Sequence, residues 1–196
     1  MNNDAMTAEF IPITVTLRGG RSVRLRSIRP DDGEALQAAL RGLSAESRYM
    51  RFMSAVNELS PSMLKHAVHP VAGRDLALVA MADPASGSAG DNVVGGARYS
   101  ADPALQTCEF GIVVSEDWRG TGLASCLMKE LIQSARVHGL KGMEGHILAG
   151  NTPMRNLAKR LGFAVTPSTE GPGVVRVWLD LQSSPAFEAP GPKAAE

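Results

Sequence analysis

A glycine-rich loop at positions 119–124 has the residue types and spacing that best fit ligand chemistry. Its sequence is Arg-Gly-Thr-Gly-Leu-Ala, and it lies between an apolar, strand-like run and an apolar-periodic helical segment. Gly120 and Gly122 lack the Cβ atoms that would keep a ligand from the backbone, so successive N–H groups can point at phosphate oxygens. Arg119 adds a permanent cation with a donor fork suited to phosphate. The loop therefore predicts a pyrophosphate site at the start of a helix.

Two other interpretations of this loop stay open. One is an ordinary strand-to-helix turn with an exposed arginine. The other is a dinucleotide-binding loop, since Gly120-x-Gly122 matches the start of that fingerprint. Ser125 occupies the position of its third glycine, and the loop lies past the middle of the chain rather than near the start of a βαβ unit. The dinucleotide interpretation is therefore the weaker one.

The composition favours one soluble domain without a nucleic-acid or membrane partner. The chain has 196 residues, 20 basic and 20 acidic side chains, and 44% hydrophobic residues. A formal net charge of zero gives no electrostatic reason to bind a polyanion. Apolar runs fall short of the roughly twenty residues that a membrane span needs, and the first ten residues lack a secretory pattern. We therefore expect a cytoplasmic protein in which Cys108 and Cys126 are reduced.

Hydrophobic periodicity and turn signals predict the elements that must position the loop. The predicted strands are 13–17, 23–28, 76–81, 93–99, 107–115, 142–149 and 174–181. The first predicted helix follows a cap at Asp31 or Asp32 and ends near 41. Two more are predicted to begin at 44 and at 60, and two others span 123–138 and 151–161. Hairpins followed by strands that alternate with helices imply a mixed sheet with packed helices, an α/β (α+β) fold.

One domain is expected to occupy residues 13–182. Residues 1–12 are predicted to be a flexible N-terminus. Residues 183–196 are rich in Pro and Ala and poor in large apolar side chains, which predicts a disordered tail. The segment 83–91, rich in Pro, Gly and Ser, is predicted to join two of the strands.

Three segments in order resemble the GNAT family of N-acetyltransferases. They are the strand 108–114, the loop 119–124, and the helix that begins near Asn151 and ends in Leu-Gly-Phe at 161–163. Segments 15–32 and 43–52 are similar to the acetyltransferase domain of bacterial protein lysine acetyltransferases. The resemblance covers nearly all of the chain outside its tails. It implies a mostly antiparallel mixed sheet with helices on both faces and a splayed central pair of strands.

The resemblance also implies an acetyl-CoA site without a metal. In this family the pantetheine arm lies like an added strand beside residues that match Ile112, Val113 and Val114. The phosphate-binding loop corresponds to Arg119, Gly120, Thr121, Gly122, Leu123 and Ala124. Asn151 matches an asparagine that contacts the cofactor, although a helix N-cap explains it equally well and is compatible with that role.

Acetyl transfer requires a neutral amine, so we expect a general base. At pH 7 a lysine is deprotonated in only about one molecule in 2,500, which is equivalent to roughly 4–5 kcal/mol of barrier. Glu109 is the first candidate, because the protein-acetylating relatives carry a glutamate at the matching position. Glu144 and His146 alternate along the following strand, so they share a face and are the alternatives.

The family's usual tyrosine acid is replaced here by Ala158, so the leaving thiolate must be protonated by another group or by water. The oxyanion is expected to meet the backbone N–H of Val113 or Val114. The expected reaction is direct transfer in a ternary complex to an amine, with a protein lysine as first acceptor. Small-molecule amine transfer and a non-catalytic acyl-CoA sensor stay open, and the chain could form a homodimer.

Several other polar or aromatic residues are explained without function. His66 and His69 are expected to face solvent rather than to bind a metal. Arg48 and Arg51 could receive an acidic surface or a phosphate, but a charged helix face explains them more simply. Trp118 is interpreted as a packing anchor.

Overall fold

An eight-stranded sheet forms the centre of the protein. The computed structural model describes residues 10–82, 92–104 and 106–183. The strands are β1 Ile13–Thr16, β2 Ser22–Ser27, β3 Asp75–Ala82, β4 Val93–Ala101, β5 Thr107–Val114, β6 Gly142–Leu148, β7 Ala164–Pro167 and β8 Val174–Asp180. Their order in the sheet is β1-β2-β3-β4-β5-β6-β8-β7. Only β5 and β6 pair in parallel in this described sheet, which confirms the mixed, mostly antiparallel arrangement.

In the described residues, five α-helices cover the two faces of the sheet. They are α1 Gly33–Arg41, α2 Ala45–Phe52, α3 Pro61–Val68, α4 Leu123–Val137 and α5 Thr152–Arg160. The larger core cluster joins buried side chains of α4 and α5 to the sheet. A smaller cluster of Val79, Met81 and Val93 packs against α1. The sheet therefore separates an α4–α5 layer from a layer that contains α1, α2 and α3.

The described residues contain every helix and strand that periodicity predicts, with ends shifted by one or two residues. β7, a four-residue strand at the edge of the sheet, was not predicted from the sequence. Pro167 within so short a run favours a loop assignment, and proline is tolerated there because the strand is an edge strand. The predicted linker 83–91 and nearly all of both predicted flexible ends lie outside the described residues, so these boundaries stay predictions.

The prediction that Asp31 or Asp32 caps α1 is wrong. Asp32 stands at the N-cap position but its carboxylate makes no capping bond to α1. Both of its oxygens instead accept hydrogen bonds from Arg26 at 2.7 Å, and the Arg29 N–H donates to one of them at 2.6 Å. The hydrogen bond from Arg26 lowers the pKa of Asp32 despite partial burial. This ion pair fastens the start of α1 to β2.

Candidate active site

The parallel strands β5 and β6 separate partway along their length. In the described part of both strands, the register partners end at Glu109 and Glu144. Beyond these residues β5 continues to Val114 and β6 to Leu148. The two strands therefore form the splayed pair that the sequence resemblance implied, with a gap that opens after Glu109.

Successive residues of β5 direct their backbone hydrogen-bonding groups to opposite sides of the strand, and this alternation determines which peptide groups face the gap. The Ser115 N–H donates to Val94 O at 2.9 Å, and the Asp102 N–H donates to Thr107 O at 2.9 Å. In an antiparallel ladder such bonded pairs alternate with non-bonded pairs. The odd-numbered residues of β5 therefore direct their N–H and C=O groups at β4. Ile112 and Val114 direct theirs into the gap.

A cleft of about 870 Å³ occupies the gap and extends along the start of α4. The predicted site residues on its walls are Glu109, Ile112, Val113, Val114, Arg119, Gly120, Gly122, Leu123, Ala124, His146 and Asn151. Of the predicted residues that the structure describes, Thr121 and Glu144 do not line it. The structure thus brings together, on one surface, residues from β5, the glycine loop, β6 and the start of α5.

At Gly120 and Gly122 the loop has a backbone conformation that suits glycine and leaves the backbone open to a ligand. Gly120 and Gly122 have φ values of 74° and 96°, and open space lies where their Cβ atoms would be. Thr121 fixes the loop from within, because its hydroxyl donates to Trp118 O at 2.7 Å and its carbonyl accepts from the Arg18 N–H at 3.0 Å. The loop ends at Leu123, the first residue of α4, where the first N–H groups of the helix have no intrahelical acceptor.

Trp118 anchors this loop in the core, as the sequence predicted. Its side chain is buried, and the Arg21 guanidinium carbon lies 3.5 Å from its ring centroid. Arg21 also donates to Asp117 O at 2.7 Å. The β1–β2 hairpin therefore supports the glycine loop from outside.

Arg119 is tied to helix α2 through a small polar network. Its guanidinium donates to Ser47 Oγ at 2.6 Å and lies 3.5 Å from Glu116 Oε1. Glu116 Oε1 also accepts from Ser47 Oγ and from the Ser44 N–H. Burial by itself would raise the pKa of Glu116, but the hydrogen bonds from Ser47 and Ser44 outweigh it and lower the pKa to about 2. A fixed negative charge therefore joins the loop to the start of α2.

Glu109 stands at the point where the strands separate. Its side chain is 62% exposed, so an amine from solvent can reach it, and Oε1 lies 3.7 Å from His146 Nδ1. Glu144 is instead engaged by Arg176, whose Nε and Nη2 lie 2.7 and 2.6 Å from its Oε2. On this geometry the base candidates narrow to Glu109 and His146.

Asn151 takes the N-cap position of α5 and accepts a hydrogen bond from the Met154 N–H at 3.2 Å. This capping role is compatible with its place on the cleft wall.

Ala158, which stands where the family usually has its tyrosine acid, is buried in the core. The chain has two tyrosines, both in the described part: Tyr49 is half-exposed on α2, and Tyr99 is buried with its pKa raised by burial to about 12. Neither lines the cleft, so no tyrosine is placed to act as the acid.

A second cavity of about 480 Å³ lies between the sheet and the layer of α1, α2 and α3. We call it the apolar pocket, because residues such as Leu36, Phe52 and Val79 line most of it. Two cations interrupt this lining, Arg51 of α2 and Arg98 of β4. Arg51 lines the cleft as well as the apolar pocket, so it stands where the two cavities meet.

The interpretation of Arg48 and Arg51 as a solvated helix face is wrong. Arg48 donates to Leu43 O, and Arg51 turns inward with its guanidinium carbon 2.7 Å from where a Cβ atom on Gly111 would lie. Burial lowers the pKa of Arg51, the like charge of Arg98 lowers it further, and the opposite charge of Glu109 offsets part of this lowering. The available sequence signal was Gly111, since a glycine inside a strand often marks the close approach of another group.

The described residues contain no cluster of three or more His, Cys, Asp or Glu side chains that could hold a metal ion. His66 and His69 are exposed, and each ring bonds to a carbonyl of its own helix turn. Within the same part of the chain, none of the helices has both the length and the apolar character required to cross a membrane.

Known proteins with a similar sequence identify the family of this chain. The sequence profile of the acetyltransferase (GNAT) family matches residues 59–163. An acetyltransferase of Pseudomonas aeruginosa is 32% identical over 148 residues, which are 76% of this chain and 78% of the relative. The acetyltransferase Pat of Mycolicibacterium smegmatis is 30% identical over 177 residues, 90% of this chain. The chain spans about half, 51%, of the length of that relative.

The structural comparison gives the same fold. The GNAT domain of S. lividans PAT superposes with a TM-score of 0.76 at 26% identity. The match covers 86% of this chain and 96% of that domain.

Proposed function

Because the chain belongs to the acetyltransferase (GNAT) family and is an acetyl-CoA-dependent N-acetyltransferase, we propose that it transfers the acetyl group directly to a primary amine, with a protein lysine as first acceptor. One observation carries this proposal. The cleft joins the glycine loop, the free peptide groups of Ile112 and Val114, and the exposed carboxylate of Glu109 in that order along β5 and α4. This order matches the order of phosphates, pantetheine and thioester in the cosubstrate.

The residues of the cleft fit each part of acetyl-CoA by their chemistry. Gly120 and Gly122 let the backbone approach the pyrophosphate, and Arg119 exchanges its Ser47 partner for a phosphate oxygen. Ile112 and Val114 pair with the amide groups of the pantetheine arm as a neighbouring strand would. Val113 contributes its side chain only, because its peptide groups are directed at Gly96 on β4. Acetyl-CoA supplies a thioester carbon for the amine to attack.

Glu109 takes the proton of the acceptor amine, directly or through His146 and water. Its exposure suits a base that must meet a substrate arriving from solvent, and the His146 ring at 3.7 Å can accept or orient the proton. Neither of the two expected oxyanion donors meets the thioester in this arrangement, because the Val113 N–H is directed at β4 and Val114 lies five residues along β5 from Glu109. Water protonates the departing thiolate. The conjugate thiol has a pKa of about 8.5, so the thiolate is a tolerable leaving group.

Direct transfer is favoured over an acyl-cysteine intermediate. Burial raises the pKa of Cys108 to about 12 and that of Cys126 to about 11, so both thiols are poor nucleophiles at neutral pH. Neither cysteine lines the cleft in the part of the chain that the structure describes.

A protein lysine is the first acceptor, because segments 15–32 and 43–52 resemble bacterial protein lysine acetyltransferases and because Glu109 lies near the open surface. A small-molecule amine is the second candidate, favoured by the apolar pocket that adjoins the cleft. A non-catalytic acyl-CoA sensor is the third, favoured by the absence of tyrosine among the described cleft residues. The homodimer and the cytoplasmic location stay predictions.

Thiol release from acetyl-CoA tests the proposal. The purified protein is assayed with lysine-bearing proteins, with small amines and with buffer alone, and calorimetry measures CoA binding in parallel. Release that depends on an acceptor supports transfer and identifies the acceptor class. Tight binding without release from any acceptor contradicts transfer and favours the sensor.

A further inference from the structure

Arg51 and Arg98 approach the same residue of β5 from two directions. Arg98 is the register partner of Gly111 on β4, so its side chain leaves the sheet on the face that Gly111 leaves open. Arg51 reaches that face from α2, and its guanidinium occupies the space that a side chain at 111 would need. Two guanidinium groups therefore converge on one bare stretch of backbone.

Neither cation forms a close ion pair in the described part of the chain, and Arg51 feels only the more distant charge of Glu109. No hydrogen-bond acceptor contacts either guanidinium there, and no carboxylate lies within 4.0 Å of it. An unpaired cation in a desolvated position opposes folding, and two like charges on one face oppose it further. An anionic ligand that binds both guanidinium groups would supply the close ion-pair partner that the described contacts lack.

The two guanidinium groups can be reached by a ligand. Within the described residues, neither Arg51 nor Arg98 contributes a fully buried side-chain nitrogen that lacks a hydrogen bond. Both groups line the apolar pocket, and Arg51 also lines the cleft. Glu109 is two residues before Gly111 on β5, hence on the same face and about 7 Å along the strand. The cations therefore adjoin the position of the reacting amine.

We propose that Arg51 and Arg98 form a carboxylate-binding subsite for the acceptor, which selects amines that have a carboxylate close to them. The proposal rests on the proposed acetyl transfer at Glu109. A planar guanidinium fork can bind a carboxylate through two parallel hydrogen bonds. The apolar lining receives the rest of the acceptor. Two sources have this chemistry: a free apolar amino acid, and an acidic residue beside an acceptor lysine in a peptide.

Matched pairs of acceptors test the subsite. Leucine is compared with leucinamide, and a lysine peptide with glutamate next to the lysine is compared with the same peptide carrying glutamine. The amine of leucinamide is the less basic of that pair, so its larger free-base fraction works against the expected preference. We expect kcat/KM for thiol release to be at least about tenfold higher for the carboxylate member of one pair. The pair that shows the preference identifies the source.

Three variants assign the preference to the arginines. Arg51→Gln and Arg98→Gln should each reduce the ratio between carboxylate and amide acceptors to near one, by raising KM for the carboxylate member only. Arg51→Lys should retain part of the ratio, since it keeps the charge and loses the fork. Arg24→Gln, an exposed arginine on β2 that lines neither cavity, is the matched control and should retain the full ratio. Thermal unfolding of each variant shows that it is folded, and neither glutamine variant should be less stable than the control.

The outcomes separate this inference from the function on which it rests. No release with any acceptor contradicts the transferase itself. Release with equal kcat/KM for both members of both pairs leaves the transferase intact and overturns the subsite.

A further experiment replaces acetyl-CoA by succinyl-CoA, with leucinamide as acceptor. If the arginine variants impair only that reaction, the carboxylate belongs to the acyl chain and the acceptor subsite is also overturned.

Discussion

The cleft and the apolar pocket meet at β5 but are built from different parts of the chain. Most of the cleft's predicted cofactor contacts come from one continuous stretch, residues 109–124, and the main ones are backbone groups. The apolar pocket takes its lining from α1, α2, α3, β3, β4 and β5, and its polar groups are side chains. A site made of local backbone suits a ligand common to a whole family. A site made of side chains from distant elements can change with the acceptor.

This contrast predicts that chemistry, cofactor binding and acceptor binding can be altered separately. The largest expected effect is on chemistry. Glu109→Gln should lower kcat by about 10²- to 10³-fold, because the neutral amide cannot take the amine proton. The dissociation constant of CoA, measured by calorimetry, should not change.

Glu144→Gln is the matched control, since Glu144 is the register partner of Glu109 but does not line the cleft. It should retain kcat within a few-fold. If Glu109→Gln retains kcat as well, the base is His146 or water.

The second effect should fall on cofactor binding alone. Arg119→Ala is expected to weaken CoA binding about tenfold, because one charge-assisted hydrogen bond to phosphate is lost at a site 58% exposed to solvent. At saturating acetyl-CoA the variant should turn over at the normal rate. Unchanged CoA affinity would place the phosphates elsewhere, and Arg24→Ala serves as the control for loss of charge.

The third effect should fall on the acceptor alone. Gly111→Ala places a Cβ atom where the Arg51 guanidinium lies, so Arg51 must move. The Michaelis constant for the acceptor should rise several-fold while the CoA dissociation constant stays the same. Gly33→Ala, whose new Cβ atom would meet Leu64 at an ordinary 3.6 Å, is the control. An equal loss of CoA affinity in Gly111→Ala would show that the two cavities are not separable.

The difference between a local backbone site and a site of distant side chains also explains which features could be predicted from the sequence. Regular elements were predictable because α4, for example, has a buried apolar stripe of helical period, and β5 has a short apolar run. The cleft was predictable because its glycines, its arginine and its strand follow one another in the chain. Ile112 and Val114 could not be distinguished from Val113 by sequence, since hydrogen-bond parity depends on how β5 pairs with β4.

The apolar pocket was not predictable for a physical reason. Arg51 lies four residues after the buried Ser47, on the inward side of α2, but its pattern in the sequence is that of a charged helix surface. Its convergence with Arg98 depends on the packing of α2 over β5, which joins positions far apart in the chain. Asp32 was misassigned for a similar reason, because its partner Arg26 lies on a strand rather than in the helix it begins.

The smallest effect is expected at Glu116, where the two regions are joined, since its carboxylate connects the glycine loop to α2. Its folded pKa, about 2, lies below the ordinary value of 4.5, so its contribution to stability is present above pH 4.5 and lost as the pH falls towards 2. Glu116→Gln should lower the free energy of unfolding at pH 7 by about 1 kcal/mol, allowing for solvent screening. It should also lose less stability than the wild type between pH 4.5 and 2, as urea titrations at both limits would measure. Glu34→Gln, which changes an exposed glutamate at the start of α1, should change neither quantity.

Glu116→Gln should also affect binding, because α2 carries Arg51. Both the CoA dissociation constant and the acceptor KM should shift slightly. A shift in only one of them would mean that the cleft and the apolar pocket are energetically independent.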